Sequence, residues 1–401
     1  MAVNNMELTQ LSTVLASIVG QATGQAVLTP TDLSSFISVA QTGLKTGYDP
    51  LTTAISQVLS KTIFSVRPYT AKLRGLMVDS VRYGNHERKL TTIDKPFEED
   101  DRIKLVDGQS IDQQKVNKPS VLQTNFYGAN VYQKSLTIYR DQLDVAFSGP
   151  EEFGRFISMI MQNASDMIEQ AHEETARMTI ANLIAGINYQ EAQGLTSGRA
   201  IHLLDIYQDE TGINLTSTTV RDPANFAPFA RWMFGYLKTL SERLTERSTL
   251  YHQNFTIDGV DYTIMRHTPI ERQKCYLYAP LLNSISSNVL STVFYDKYLQ
   301  LMDHENVSYF QSIQSGDSIS ITPAVTGADG TIATATPQVI DNVFGVIFDE
   351  EAAGYTMVNE WSASAPFNAR GGYTNIFWHF TDRYWNDFTE NAVVLLLDHA
   401  A

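Results

Sequence analysis

The sequence contains a single cysteine, Cys275, among its 401 residues, so no disulfide bond can form within the chain. We expect a protein that folds in a reducing compartment and keeps this thiol buried and unreactive. Basic residues are also scarce: 29 Lys and Arg stand against 44 Asp and Glu, for a formal net charge of −15. An acidic chain is unsuited to gripping nucleic acid tightly, because phosphate binding needs clusters of Lys and Arg. It remains compatible with a protein that merely surrounds nucleic acid.

Long apolar runs are missing as well. Residues 392–397 form the longest run near the end of the chain, and six residues are about a third of what a membrane-spanning helix needs. No positive side chain precedes Lys45, so the basic region of a signal peptide is lacking. We therefore expect no membrane association. The hydrophobic content of 43% and charged content of 18% are typical of two or three globular units.

Motifs for catalysis and cofactor binding are absent from the sequence. No phosphate-binding Gly-rich loop, GxSxG elbow or GxGxxG fingerprint is present. His172 and Glu173 begin like a zinc-protease helix, but the second histidine of that motif is replaced by Ala176. His379 lies between two aromatic residues, where a structural histidine is expected. We predict no catalytic residue, no metal site and no cofactor.

Two carboxylate runs, residues 98–101 and 349–351, leave an enzyme as an alternative. Glycoside hydrolysis uses paired carboxylates, but it needs them held at a set separation in a cleft. Residues 98–101 lie in a polar stretch without an apolar frame, which favours a solvated loop. Calcium binding at residues 349–351 would need alternating oxygen donors that the sequence does not supply.

Residues 149–189 predict one very long helix around which the rest of the chain is organised. Ser148 and Pro150 are start signals, and Glu151 and Glu152 place negative charge at the positive end of the helix dipole. Apolar side chains recur at steps of three and four residues, which predicts one apolar face. Such a helix would be about 50 to 60 Å long at 1.5 Å per residue. A helix of this length is typical of an element that spans several layers or contacts neighbouring subunits.

Residues 76–140 predict an extended hairpin. Residues 76–90 and 121–140 alternate apolar and polar side chains, as strands do, and the stretch between them is polar and charged. A long hairpin cannot bury a core alone, and its open edges would favour aggregation of a monomer. We therefore expect it to dock on a neighbour.

The remaining segments indicate an α+β protein. Residues 1–48 predict a short amphipathic helix, either in a loosely ordered terminus or in an arm that orders on another subunit. Residues 190–222 and 311–340 are predicted to be loops. A helix with an apolar stripe is predicted from residue 222, a β-hairpin at 255–265, a strand followed by a helix from Cys275, and strands from Val343 to the end.

The order arm, helix, long hairpin, very long helix, mixed α/β body and strand-like C-terminus resembles the tailed-bacteriophage major capsid protein with the HK97-type fold. Residues 50–69, PLTTAISQVLSKTIFSVRPY, and residues 377–398, FWHFTDRYWNDFTENAVVLLLD, are similar to segments of phage major head proteins. The resemblance covers most of the chain and is carried by the architecture, since no single short motif defines the family.

The resemblance implies five parts. These are an N-terminal arm and helix (1–75), the extended hairpin or E-loop (76–140), the spine helix of the P-domain with its following loop (141–221), the A-domain (222–340), and the remaining A- and P-domain strands with the C-terminus (341–401). It implies a structural protein that self-assembles, through hexamers and pentamers, into the icosahedral shell around a double-stranded DNA genome. The DNA would be enclosed without sequence-specific binding, and the protein would be made in the bacterial cytoplasm and located in the virion.

The short, weakly charged N-terminus differs from a built-in scaffolding domain, so the resemblance implies a separate scaffolding protein. A portal and decoration proteins are further expected partners. We expect the assembly contacts at the hairpin tip and in the arm: Glu98, Glu99, Asp100, Asp101, Arg102, Lys104, Leu11, Val14, Leu15 and Ile18. The alternatives are another virion protein (portal or tail), a cellular nanocompartment shell of the same fold, and a glycoside hydrolase.

Overall fold

A computed structural model describes residues 8–47, 49–55, 73–78, 86–93, 99–111, 114, 116, 120–127, 130–257, 259–288 and 304–400. The helices are α1 (Leu8–Thr23), α2 (Leu33–Thr46), α3 (Arg140–Ala146), α4 (Pro150–Ala192), α5 (Leu203–Thr211), α6 (Pro223–Thr245) and α7 (Ala279–Asn288). Residues 49–55 are also helical.

The strands of the first two thirds of the chain are β1 (His86–Ile93), β2 (Ser120–Tyr127), β3 (Asn130–Tyr139), β4 (Ala200–His202), β5 (Phe255–Ile257), β6 (Val260–Tyr262) and β7 (Gln273–Tyr278). Those that follow are β8 (Glu305–Val307), β9 (Ile319–Ile321), β10 (Val325–Thr326), β11 (Ile332–Ala333), β12 (Gln338–Ile340), β13 (Val343–Asp349), β14 (Ala353–Ser364), β15 (Tyr373–Asn386) and β16 (Ala392–Leu396).

The chain divides into two compact units, each made of separate stretches of sequence. The first unit comprises residues 1–84, 129–175 and 356–383. The second comprises residues 85–128, 176–355 and 384–401.

The first unit is built from α1, α2, the first part of α4 and a three-stranded sheet in the order β14-β15-β3. In the sheet, β3 pairs antiparallel with β15, from Tyr139 opposite Tyr373 to Asn130 opposite Asp382. The core contains residues from α1, α2, α4 and β15. Aromatic rings meet edge to face within it: the centroid of Phe153 lies 5.2 Å from that of Phe147 and 5.7 Å from that of Phe36.

The second unit is built on a five-stranded sheet in the order β4-β16-β13-β7-β8. Strand β13 is central, antiparallel to both β16 and β7, and all seven of its residues are buried. The core cluster brings α5 and α6 together with the sheet. The predicted stripe of α6 is confirmed by the burial of Phe226, Phe229, Met233, Leu237, Leu240 and Leu244.

The predicted long helix is confirmed as α4, which has 43 residues and a length of about 65 Å. The prediction of a single apolar face does not apply to the whole of α4. From Ala176 to Ile187 nearly every residue is buried, including Asn182. The amide of Asn182 is satisfied, because its Nδ2 donates to Asn386 Oδ1 at 2.7 Å and its Oδ1 accepts from the backbone of Ala324 at 2.8 Å. Paired polar side chains therefore let the second half of α4 be enclosed on all sides.

Two loop predictions need correction. Residues 190–222 are not all loop, because β4 and α5 lie there and Leu203, Leu204 and Tyr207 are buried. Residues 311–340 contain the short strands β9 to β12 rather than a continuous loop. Both segments are rich in Gly, Ser and Thr, so the few apolar residues that form these elements did not stand out in the sequence.

The predicted hairpin is present as β1 and β2, but its predicted limits are not. Strand β3 is not part of the hairpin, since it pairs with β15. A 3₁₀ turn, Arg74–Leu76, occupies the predicted start, and residues 79–85 lie outside the described part. The β-hairpin of β5 and β6 and the strand-to-helix step at β7 and α7 are confirmed.

Candidate assembly surface

The first candidate surface lies on the hairpin that β1 and β2 form in the second unit. The two strands are antiparallel and pair from His86 opposite Tyr127 to Ile93 opposite Ser120. Among the described residues no third strand joins them. A two-stranded hairpin has too little apolar surface to be stable alone in water, so it depends on contacts made by its side chains.

The described part of the hairpin tip, residues 99–111, is exposed throughout. Its charges are partly paired with one another. Arg102 Nε donates to Asp100 Oδ2 at 2.8 Å, and Lys104 Nζ lies 3.4 Å from Glu99 Oε2. Hydrogen bonds from the side chain and the backbone of Arg102 lower the pKa of Asp100. Of the tip residues predicted as contacts, Glu98 lies outside the described part, and the others are placed together in this exposed turn.

Apolar side chains at the tip were missed by the sequence analysis. Ile103 is 79% exposed, Val106 is 63% exposed and Leu105 is 52% exposed. Clustered exposed apolar groups are typical of contact surfaces, because their contact with water costs free energy that a partner would remove. The signal was present in the sequence as three large apolar residues inside an otherwise charged run.

The predicted contact residues of the N-terminal arm lie in the core of their own subunit. Leu15 and Ile18 are fully buried, Leu11 is 6% exposed, and Val14 packs against the same cluster. Leu11 lies against the N-terminal part of α4, where a Cβ on Gly154 would lie 3.2 Å from Leu11 Cδ1. Residues 8–23 therefore form a packed helix, and these side chains stabilise the first unit rather than presenting a free surface.

A second exposed feature is a groove in the first unit. Its volume is about 310 Å³, and β3, α4 and β15 line it. The apolar lining residues are Leu136, Ile160, Met167, Ala171, Trp378 and Phe380. Among the described residues β3 has a strand partner on one side only, and residues 131–135 are exposed. An open strand edge beside an apolar groove can accept an extended segment through main-chain hydrogen bonds and side-chain burial.

The residues that could carry chemistry are held in structural roles. Burial raises the pKa of the Cys275 thiol, which makes it a poor nucleophile. His379 stacks on Trp361, with ring centroids 3.9 Å apart. Glu350 is paired with Arg272, whose Nε lies 2.7 Å from Glu350 Oε1. His172 is 3% exposed, and in the described part of the chain no three or more His, Cys, Asp or Glu side chains are grouped as metal ligands.

Comparison with known proteins identifies one family. The model of the family described as Phi29-like phage major capsid protein matches residues 17–396. No curated protein matches the chain. None of the described helices is both long and apolar enough to cross a membrane.

Two solved phage structures have a similar fold. One is the capsid structure of Staphylococcus phage Andhra, with a TM-score of 0.50, 10% sequence identity, and 83% of this chain and 86% of that chain covered. The other is the structure of the head fiber and inner core protein gp22 of native bacteriophage P68, with the same TM-score, identity and coverage. At this identity the similarity concerns the fold.

Proposed function

The chain belongs to the Phi29-like phage major capsid protein family, and we propose that the hairpin tip is its main contact with neighbouring copies in the head shell. Family and fold together make the protein a structural head shell protein, built into an assembly of many copies. This function replaces the alternatives of a portal or tail protein, a nanocompartment shell and a glycoside hydrolase. A role without enzymatic activity is part of the proposal.

The observation that carries the proposal is the exposure of Ile103, Leu105 and Val106 at the end of a hairpin with no core of its own. A shell made from one kind of subunit uses heterologous contacts, in which two different surfaces of each copy meet. The apolar tip is one such surface. The groove beside β3 suits the apolar hairpin tip, because the groove is also apolar and lies at the edge of the sheet where β3 has no strand partner among the described residues. We propose that the tip of one copy occupies this groove on the next.

In the HK97-type scheme, the β1–β2 hairpin corresponds to the E-loop and α4 to the spine helix. The A-domain falls within residues 222–340, and the P-domain combines α4 with residues 341–401. We propose assembly through hexamers and pentamers, with a separate scaffolding protein, a portal and decoration proteins as partners. Synthesis takes place in the cytoplasm of the host bacterium.

The net charge of −15 supports weak, nonspecific contact with the enclosed double-stranded DNA. Weak contact would help the genome to be packed and ejected. DNA held in assembled shells through strongly salt-dependent contacts would contradict this part of the proposal.

The test is negative-stain electron microscopy of the protein produced with its neighbouring phage genes. Deleting residues 92–118 removes the tip and keeps the first part of β1, so we expect a folded subunit that forms no shells. The double variant Ile103→Ser, Val106→Ser should reduce shell yield at least tenfold. A matched control is Ile332→Ser, which changes an apolar side chain that is 84% exposed in strand β11 of the second unit. The assignment of the hairpin as a contact would be overturned if the deletion variant formed normal shells, or if Ile332→Ser lost as much shell yield as the double variant.

A further inference from the structure

Strand β1 turns two polar side chains, Lys89 and Thr91, toward the body of the second unit. Along β1, Arg88 and Leu90 are exposed, whereas Lys89 is half-buried and Thr91 is buried. Alternation along a strand places Lys89 and Thr91 on the same face. This face also includes the half-buried Ile93 and, opposite Thr91, the half-buried Leu122, so a buried threonine and a half-buried lysine lie among apolar side chains.

Lys89 enters a group of three carboxylates on the body. Its Nζ lies 3.0 Å from Asp387 Oδ2 and 3.0 Å from Glu351 Oε2, and it also contacts the carboxylate of Glu390. Asp387 and Glu390 are almost fully buried, with side chains 1% and 8% exposed. Although burial disfavours the ammonium, Asp387 and Glu390 raise the pKa of Lys89 above its usual value, so the side chain stays charged at neutral pH.

A second cation completes this attachment. Arg266 Nη2 lies 3.0 Å from Glu390 Oε1 and donates to Thr91 Oγ1 at 3.3 Å, while its Nε donates to the backbone oxygen of Thr389 at 3.1 Å. Asp387 is also bound by a residue of the body itself. Asp387 Oδ1 accepts from the backbone N–H of Thr389 at 2.9 Å and from its hydroxyl at 2.6 Å.

We propose that Lys89 is the residue that sets the direction in which the hairpin leaves its subunit, and thereby a positioning residue for the assembly contact. Ion pairs of this kind depend on geometry, because buried charges are stabilised only while they face one another. Strand β1 ends at Ile93, about 13 Å beyond Lys89 at the usual rise per residue, so a small rotation at Lys89 is enlarged at the tip. The role in assembly rests on the proposed function, whereas the attachment itself can be measured on the subunit alone.

The test compares Lys89→Met with Arg88→Met, which removes the neighbouring cation on the exposed face of the same strand. Backbone hydrogen exchange of residues 88–93 and 121–126 is measured on the unassembled full-length subunit. We expect exchange at least tenfold faster in Lys89→Met and unchanged in Arg88→Met. Lys89→Arg keeps the cation and is expected to keep the hairpin protected.

Removing Lys89 alone leaves buried carboxylates without their partner, which could destabilise the whole unit. The double variant Lys89→Met, Glu390→Gln removes one of these charges and serves as the second measurement. We expect its unfolding midpoint to return toward that of the unmodified protein while the hairpin amides still exchange fast. Unchanged hairpin exchange in both Lys89→Met and the double variant, or equal acceleration in Arg88→Met, would overturn the attachment.

Shell formation separates this inference from the proposed function. Failure of Lys89→Met to assemble, together with fast hairpin exchange, supports the positioning role. Normal shells from a subunit with a freed hairpin would overturn the positioning role and leave the tip contact to be judged by the deletion of residues 92–118.

Discussion

The ring of Phe388 packs directly on the backbone of Gly186 in α4, so that a Cβ at position 186 would lie 2.6 Å from Phe388 Cε1. This approach explains a glycine in the interior of a helix. Gly186→Ala should lower the free energy of unfolding by about 1 to 3 kcal/mol, because overpacking outweighs the better helix propensity of alanine. Gly235 lies in α6 with no atom within 4 Å of a Cβ, so Gly235→Ala should stabilise the subunit by up to about 1 kcal/mol. Urea unfolding measures both, and a loss of the same size in the two variants would contradict the packing argument.

Burial of the N-terminal helix makes it part of the folded subunit. Leu15 is fully buried, so Leu15→Ala should lower the free energy of unfolding by about 2 to 5 kcal/mol. The control is Leu28→Ala, whose side chain is 90% exposed and which should change stability by less than about 0.5 kcal/mol. Thermal unfolding of the unassembled subunit distinguishes the two. An unaffected Leu15→Ala subunit would mean that the helix is not docked before assembly.

Asp382 is buried without an ion-pair partner of its own in the described residues, and burial raises its pKa to about 6. A carboxyl group whose pKa is raised by folding weakens the fold once it ionises. Stability should therefore fall as the pH rises from about 4 to about 6. Asp382→Asn should then be more stable than the unmodified protein at pH 7.5, by about 3 kcal/mol at most, and equal to it near pH 4. Equal stability across the whole range would show that the folded protein does not protonate Asp382.

The C-terminal residues are attached to α5 and the residue before it by two crossed His–Asp pairs. His202 Nδ1 lies 2.7 Å from Asp398 Oδ1, and His399 Nδ1 lies 2.5 Å from Asp205 Oδ1. These hydrogen bonds raise the pKa of both histidines above 6.5. The attachment should therefore be complete below pH 6.5 and weaken as the pH rises through the raised values.

Histidine titrations followed by NMR measure this effect directly. Asp205→Asn should return the pKa of His399 toward 6.5 and leave His202 higher. Asp398→Asn is the matched variant for the other pair. Values at or below 6.5 for both histidines in the unmodified protein would contradict the crossed arrangement.

Several elements follow from patterns that are local in the sequence. The start signals at Ser148 and Pro150 and the absence of an internal proline predict α4, since each acts within one turn of helix. The stripe of α6 and the apolar run of β13 are equally local. Helix α5 was missed because only three of its nine residues are buried, too few to stand out beside polar neighbours.

Contacts between distant residues could not be predicted in this way. The pairing of β3 with β15 joins Tyr139 to Tyr373, and the attachment of the hairpin joins Lys89 to Asp387. By its alternation of apolar and polar residues alone, β3 could pair with many strands, and the sequence contains many carboxylates that could face a lysine. The packing of the whole unit decides which of these pairs forms. Separation along the sequence does little to favour one pair over another, because the entropic cost of closing a long loop rises only slowly with its length.

Composition and local order thus determine the acidic, disulfide-free chain, its long helix and its hairpin, since these depend on residue types and short spacings. The folded arrangement alone determines that Leu11, Leu15 and Ile18 lie inside the subunit while Ile103 and Val106 lie outside. Both groups are apolar and belong to plausible contact segments, so hydrophobicity does not separate them. They differ in whether the rest of the chain supplies a surface to cover them, which is a property of the tertiary structure.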